Sequence, residues 1–415
     1  MGNLTESKKI PELRFPGFTG EWEEKKLGEV GEFYNGLKGK NKDYFVNGNK
    51  KYISYLSIFS NTIINKDFSD FEYVIIEKGE AQNIVKYGDV LFTQSSETIE
   101  EVGMSSVYLN KEETYLNSFS FGYRFNKSIK MDYMFTGYMF RSESIRKRII
   151  TEGQGSTRFN LSSNRLKNIS IPFPSLAEQE KIGSFFSSLD KKLDLQKDRL
   201  EGLKSYKKGM MQRIFSQEIR FKDENGQDYP DWEEKKLGEV AEIKTGNTPP
   251  TKDIDNYGEE YLFVSPGDLG RKKYINATEK MLSNKGYSIS RKFDKSSILF
   301  TCIGSTIGKL GIAGKDLTSN QQINAILPNN NYNSEYLYYS LDFLSSRIKL
   351  LASNQAVPII NKSEFEKIKI YLPSLPEQEK IAYFLSALDR SIELEEERLE
   401  VYEKLKKGLM QRMFV

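Results

Sequence analysis

A nine-residue string occurs twice in this chain. Trp22-Glu23-Glu24-Lys25-Lys26-Leu27-Gly28-Glu29-Val30 returns unchanged 210 residues later as Trp232-Glu233-Glu234-Lys235-Lys236-Leu237-Gly238-Glu239-Val240, and the two strings hold both tryptophans of the protein. A second pair of matches lies at an offset of 199. Pro174-Ser175-Leu176 with Glu178-Gln179-Glu180-Lys181-Ile182 becomes Pro373-Ser374-Leu375 with Glu377-Gln378-Glu379-Lys380-Ile381. The likeness runs on through Leu189-Asp190 and Leu388-Asp389. It ends in Lys207-Lys208-Gly209 and Met211-Gln212-Arg213 against Lys406-Lys407-Gly408 and Met410-Gln411-Arg412. Ordered identities of this length do not arise from composition, so the chain is one structural unit written twice.

Between these fixed ends the halves diverge, with a faint echo of Val90-Leu91-Phe92-Thr93 in Ile298-Leu299-Phe300-Thr301 at an offset of 208. The falling offset places deletions inside the second half. A shared scaffold carrying dissimilar inserts is expected to present two different surfaces. Each middle has short apolar runs bounded by Gly, Asn and Asp, as strands should be, such as Tyr52 to Leu56, Tyr73 to Ile76, Tyr261 to Val264 and Ser297 to Phe300. Helical patterns fall near Tyr133 to Ile150 and Ser334 to Leu351. Each middle therefore reads as a mixed α/β domain, mostly antiparallel.

The repeat tails are different. Pro174 and Pro373 close a strand, Ser175 and Ser374 are good N-caps, and Glu178 and Glu377 three residues on complete a capping-box pattern. Apolar residues then fall at 4,3 spacing: Leu189, Leu193, Leu200, Leu203, Met210 and Ile214, repeated as Leu388, Ile392, Leu399, Tyr402, Leu409 and Met413. Gln196, Lys207, Glu395 and Lys406 interrupt the seams, which argues against either helix dimerising alone and for the two pairing with each other. The alternative is two unrelated amphipathic surface helices. The expected fold class is α+β: two similar mixed α/β globular domains separated by a pair of long antiparallel coiled-coil helices, with a pseudo-twofold internal repeat. Expected boundaries are 1–173 and 217–372 for the globular domains and 174–216 and 373–415 for the helical spacers. A seam from Leu189 to Ile214 would measure about 39 Å at 1.5 Å per residue, close to the roughly 34–36 Å of one turn of B-DNA. Two readers held so would address two short sites with unread bases between them.

Composition removes several kinds of chemistry. There is no histidine and a single cysteine, Cys302, in 415 residues. That removes Ser-His-Asp and Cys-His nucleophile systems, imidazole general bases and zinc sites of thiolate or mixed type. A lone cysteine and the absence of a signal-peptide pattern in Met1 to Glu6 give the expectation of a cytoplasmic protein. The net charge of +3 does not by itself announce a nucleic-acid binder, so basic residues would have to be sorted onto particular faces.

These repeats resemble the specificity subunits of type I restriction-modification systems. The resemblance covers Trp22 to Val30, Pro174 to Phe215, Trp232 to Val240 and Pro373 to Phe414. It extends to Gly88-Asp89-Val90-Leu91-Phe92-Thr93-Gln94-Ser95-Ser96-Glu97-Thr98 and Gly304-Ser305-Thr306-Ile307-Gly308-Lys309. It implies that each variable middle is a target recognition domain reading one half of a split sequence in double-stranded DNA. It also implies that the repeated helices fix the spacing and dock two modification (methyltransferase) subunits. Those partners would bind S-adenosylmethionine and methylate adenine, while restriction/translocase subunits would use ATP and magnesium. No cofactor or metal is expected on this chain, no catalytic residue, and no membrane contact.

Apparent catalytic motifs have plainer readings. Gly304 to Leu310 approximates a phosphate loop but is one residue short and lacks Ser or Thr after Lys309. Asn247-Thr248-Pro249-Pro250-Thr251 approximates the Asn-Pro-Pro-aromatic motif of amino methyltransferases without its ring, and reads as a turn. Asp89 with Glu97, or Asp294, invites a nuclease reading, although Gly88-Asp89 reads more simply as a turn before a strand. Base readout needs donors and acceptors on loops. The candidates are Lys38, Lys40, Lys42, Gln94, Ser95, Ser96 and Thr98 in the first domain. The second offers Arg271, Lys272, Lys273, Ser305, Thr306, Lys309, Asn320, Gln321 and Gln322. Lysines would chiefly hold phosphates and Gln, Asn and Arg would carry sequence information. The basic ends Lys207-Lys208 and Lys406-Lys407 suit the helix dipole, and a docking or DNA-backbone role is open to them. Two rival functions remain at this point: a self-contained nuclease or methyltransferase, and a coiled-coil adaptor that does not bind DNA.

Overall fold

The computed structural model describes residues 9–352 and 358–415; Met1 to Glu6, read above for a targeting signal, lie outside them. The chain divides into two compact units, each discontinuous in sequence. The first comprises Met1–Lys197 and Glu397–Val415, the second Asp198–Glu396. Both boundaries fall inside the two long helices, Leu176–Phe215 and Leu375–Met413.

In the first unit a five-stranded sheet has the order Gly31–Asn35, Ser120–Phe125, Val90–Thr93, Ser105–Leu109, Ile63–Asn65. A four-stranded sheet has the order Glu72–Val74, Lys50–Ile53, Thr114–Leu116, Ile84–Val85. The second unit repeats the larger sheet as Ile243–Thr245, Ile323–Ile326, Ile298–Thr301, Leu310–Ala313, Tyr274–Ile275. Pairing is mostly antiparallel, with parallel exceptions at matching places: Lys50–Ile53 beside Thr114–Leu116 and Tyr261–Val264 beside Leu317–Ser319, then Ile63–Asn65 beside Ser105–Leu109 and Tyr274–Ile275 beside Leu310–Ala313. Val90, Leu91 and Phe92 are fully buried, as are Ile298, Leu299 and Phe300, because strands covered on both faces read as continuous apolar runs. The helical pattern from Tyr133 to Ile150 is broken: Ser142 takes an extended conformation between Tyr133–Arg141 and Glu143–Thr151. Its counterpart Ser334–Leu351 runs unbroken.

The repeated strings meet. Glu23–Lys26 pairs antiparallel with Ser170–Phe173, and Glu233–Lys236 with Lys369–Leu372, so each Trp string lies against the strand that feeds a long helix. Here the capping-box expectation needs correcting. Ser175 does accept the Glu178 amide at 3.3 Å, but the Glu178 side chain does not turn back to the cap. It is buried and takes Arg14 in a two-pronged pair at 2.6 and 2.8 Å, plus the Trp22 indole N–H at 3.2 Å. Glu377 does the same with Arg220, at 3.2 and 2.8 Å, and Trp232, at 3.1 Å. The neighbouring Gln179 and Gln378 are also spent locally. Each donates to the carbonyl of Pro174 or Pro373 and accepts the amide of Asp132 or Asn333.

Each unit also binds the tail of the other repeat. In the first, Phe414 packs 5.5 Å from Phe135 and 5.8 Å from Phe186, and Met413 is buried with Trp22 in one core. In the second, Phe215 packs on Trp232 and Tyr336, with Ile214 and Met211 against Ile381 and Leu385. The helical stretches run antiparallel within each unit: Phe186 meets Phe414 and Lys192 covers Tyr402, while Arg199 meets Glu395 and Lys207 meets Asp389. Leu193, Leu200, Ile214 and Met413 are buried, and Leu189, Leu203, Met210, Leu388, Ile392, Leu399, Tyr402 and Leu409 half-buried.

Seam lysines are not left over. Lys406 binds Asp190 at 2.5 Å, and Asp190 accepts the Tyr138 hydroxyl at 2.8 Å. Lys207 binds Asp389 at 2.5 Å, and Asp389 accepts the Tyr339 hydroxyl. Burial and the Asp190 carboxylate together hold the Tyr138 phenol well above its ordinary pKa, so it stays a donor. Paired polar groups inside an apolar seam specify register more than they add stability.

Candidate nucleic-acid interface

In each unit four chain segments meet at one end of the sheets, and their backbone hydrogen bonds correspond one for one. In the first, the Asn117 amide donates to Ile53 O at 3.1 Å while its side-chain oxygen accepts the Phe119 amide at 2.9 Å, closing a side-chain turn. Phe119 O accepts from Gln94 N at 3.0 Å, and Gln94 O from Leu161 N at 2.8 Å. In the second, Asn320 N donates to Val264 O at 3.0 Å and Asn320 Oδ1 accepts from Gln322 N at 3.0 Å. Gln322 O accepts from Cys302 N and Cys302 O from Ile360 N, at 2.8 and 2.9 Å. Gly36 and Gly246 close the fourth side. A Cβ on Gly36 would fall 1.9 Å from Asn117 O, and one on Gly246 2.2 Å from Asn320 O, so the approach requires glycine.

This scaffold aligns the side chains of the two units. Phe119 stands where Gln322 stands, and Ser118 where Gln321 stands. Counting on from Ile53 and Val264, Tyr55 and Leu56 stand where Pro266 and Gly267 stand. In the first unit Tyr55 and Phe119 separate two open cavities. One, of about 460 Å³, is lined by Leu56, Phe59, Ser95, Ser96 and Arg158; the other, of about 500 Å³, by Lys40, Lys42, Phe45 and Asn117. The loop carrying Ser96 is fastened by Arg146, whose guanidinium donates to the carbonyls of Glu100, Val102 and Gly103; burial pushes its pKa down to about 10.

The sequence candidates separate into those the structure presents and those it encloses. Lys38, Lys42, Gln94 and Thr98 are exposed, whereas Ser95 and Ser96 are largely buried, Ser96 donating to Glu101 at 3.2 Å. Lys40 is withdrawn from any phosphate-holding role: its ammonium is buried, 2.6 Å from Glu80 and above the Tyr44 ring. In the second unit Arg271, Lys272, Ser305, Lys309 and Gln321 are exposed, and Thr306, Asn320 and Gln322 half-buried. Lys273 is withdrawn in the same way. Its ammonium is enclosed by Ser386 Oγ at 2.8 Å, the Tyr339 hydroxyl at 3.1 Å and Glu335 at 3.2 Å. An enclosed lysine held by a carboxylate and two buried hydroxyls cannot leave them for a phosphate without a large cost.

The same clusters also bring in Tyr55, Phe119, Arg158, Thr248 and Arg291, which the sequence does not single out as candidates. Thr248 donates to Gln321 Oε1 at 2.5 Å, and Asn247 Oδ1 accepts from Arg291 N at 2.6 Å. The one available signal was Asn117-Ser118-Phe119 lying in register with Asn320-Gln321-Gln322, too short to find without the hydrogen bonds. The apparent phosphate loop joins antiparallel strands Ile298–Thr301 and Leu310–Ala313, with positive φ at Gly304 and Gly308, and opens no helix. Asp89 is buried, bound by Arg124 at 2.8 and 2.6 Å and by the Tyr34 hydroxyl at 2.6 Å. Among the described residues no His, Cys, Asp and Glu group could hold a metal ion, and no helix is long and apolar enough to cross a membrane.

Comparison with known proteins gives one family. The sequence pattern of the type I restriction modification DNA specificity domain matches residues 19–205 and again 229–404. A Methanocaldococcus jannaschii protein provisionally named type I restriction enzyme MjaX specificity subunit is 27% identical over 424 residues, covering 98% of this chain and 94% of that one. The MjaVIII specificity subunit of the same organism is 26% identical, with 97% and 93% covered. The crystal structure of a type I restriction-modification S subunit from M. genitalium shares the fold, with a TM-score of 0.60 at 16% identity over 98% of this chain and 99% of that one.

Proposed function

Because this chain belongs to the type I restriction modification DNA specificity family, we propose that its two units each read one half of a split duplex sequence through the four-segment loop clusters just described. The observation that carries this reading is the pair of matched scaffolds. The same backbone bonds, from Asn117 and from Asn320, present Ser118 and Phe119 in one unit and Gln321 and Gln322 in the other. A scaffold kept while its displayed side chains change is what two readers of different sequences require. Lys38, Lys42, Arg271, Lys272 and Lys309 are exposed and would hold phosphates, while Gln94, Thr98, Arg158, Gln321 and Gln322 would face base edges.

In this reading the chain contributes recognition and no chemistry. The paired helices set the gap between half-sites and dock two modification subunits. S-adenosylmethionine, ATP and magnesium belong to partner subunits. Lys207 and Lys406, already bound to Asp389 and Asp190, serve the helix pair; Lys208 and Lys407 are exposed and remain free to meet a partner or the duplex backbone. The test is selection from a random duplex library by the chain assembled with its modification subunits. Enrichment of two short motifs separated by unread bases is expected; an unenriched library would favour an adaptor that does not bind DNA. Cleavage or methyl transfer by the purified chain alone would refute the non-catalytic assignment.

A further inference from the structure

The matched scaffolds allow a chemical comparison position by position, and three of the differences near the Asn turn make the first unit the more apolar at its surface. The first unit places Tyr55, Leu56 and Phe119 where the second has Pro266, Gly267 and Gln322. Leu56 is 69% exposed and Phe119 63% exposed, and both line the cavity that also holds Ser95, Ser96 and Arg158. Tyr55 is fixed beneath them by its hydroxyl, which donates to Ser95 O at 2.7 Å, and by its ring, stacked 6.2 Å from Phe59. The Phe119 backbone is held by Asn117 and Gln94, and its ring projects outward.

The major groove offers one apolar group, the 5-methyl of thymine; the amide pairs of adenine are read by Gln or Asn. We propose that Phe119, supported by Leu56, is a specificity-determining residue that recognises a thymine methyl in the first half-site, whereas Gln321 and Gln322 at the equivalent turn of the second unit read a base by its hydrogen-bonding edge. This rests on the proposed DNA-reading role. Arg158, on the rim of the same cavity, supplies the neighbouring donor, so the first unit's contact is an apolar patch bordered by one cation.

The experiment uses the assembled complex and the split motif it selects. Each thymine of both half-sites is replaced singly by uracil, which removes only the methyl group. At one position of the first half-site, uracil is expected to weaken binding about fourfold, the worth of one buried methyl. In Phe119→Ala that discrimination should fall to less than twofold while selection at the second half-site is unchanged. Phe119 is 63% exposed, so the variant should fold, and retained selection at the remaining positions of the first half-site reports that directly. A first half-site without thymine, or one indifferent to uracil at every position, overturns the proposal while leaving the DNA-reading role standing. So does a Phe119→Ala variant that binds all sequences more weakly yet still discriminates thymine from uracil, which would make the ring a wedge between base steps. Failure to select any split motif would overturn the DNA-reading role itself.

Discussion

Replacing Glu178 by alanine tests why the Trp string and the Glu-Gln motif are repeated. Glu178 is 1% exposed and neutralises Arg14 through two hydrogen bonds while also accepting from the Trp22 indole. Glu178→Ala leaves a mostly enclosed guanidinium without its anion and an indole N–H without its acceptor. Breaking one side of a buried pair costs about 3–5 kcal/mol. For a unit of this size each kcal/mol moves the midpoint by roughly 2–4 °C, so a fall of about 6–20 °C is expected. Glu178→Gln keeps the shape and one acceptor and should lose only about 1.5–3 kcal/mol. The assay is hydrogen exchange across a denaturant series on the full chain, with peptides from 198–396 as the internal reference. A loss below about 1 kcal/mol would refute the reasoning. So would an Arg14→Ala, Glu178→Ala double-mutant cycle without coupling, since the two residues would then be neighbours and not a clamp.

Three further outcomes follow from the same geometry. Gly36→Ala should cost about 1–3 kcal/mol, because its Cβ must displace the Asn117 carbonyl, and should blur selection at the first half-site only; Gly246→Ala should do so at the second, as binding to half-site variants will report. Cys302 is buried and its thiol is pushed up to about 12 by burial, so an alkylating reagent at pH 8 should label it only after unfolding; rapid labelling of the native chain would contradict this placement. Asp342, raised above the usual carboxylate range by burial and only partly offset by Lys207, binds its proton more tightly folded than unfolded. Its contribution therefore falls as pH rises from the unfolded carboxylate value through the folded one. Asp342→Asn should stabilise the second unit at neutral pH, with the gain vanishing in acid, in pH-dependent denaturant melts.

Much of the architecture was legible because long ordered repeats imply repeated structure, so both long helices could be placed from sequence, whereas the strands Glu23–Lys26 and Glu233–Lys236 emerge only from the structure. What sequence could not supply was long-range partnership. Ser-x-x-Glu is a capping pattern, yet Glu178 is taken by Arg14, 164 residues away, and nothing local distinguishes the two uses. Lys40 and Lys273 looked like phosphate holders because a lysine displays its charge in sequence and conceals its carboxylate, here Glu80 and Glu335. The exposure of Phe119 was concealed in the opposite way. A phenylalanine beside a strand reads as core, and only its place on the Asn117 turn turns it outward. Lys207 and Lys406 seemed to spoil an apolar seam and instead complete it, since each finds an aspartate on the other helix.

The division of labour between the units is the claim on which the rest depends, and one exchange measures it. Residues 244–365 are replaced by the corresponding segment of a relative with a different target, and the split motif is selected again with the assembled complex. The account predicts a new second half, an unchanged first half and an unchanged gap. A change in both halves, or in neither, would contradict it.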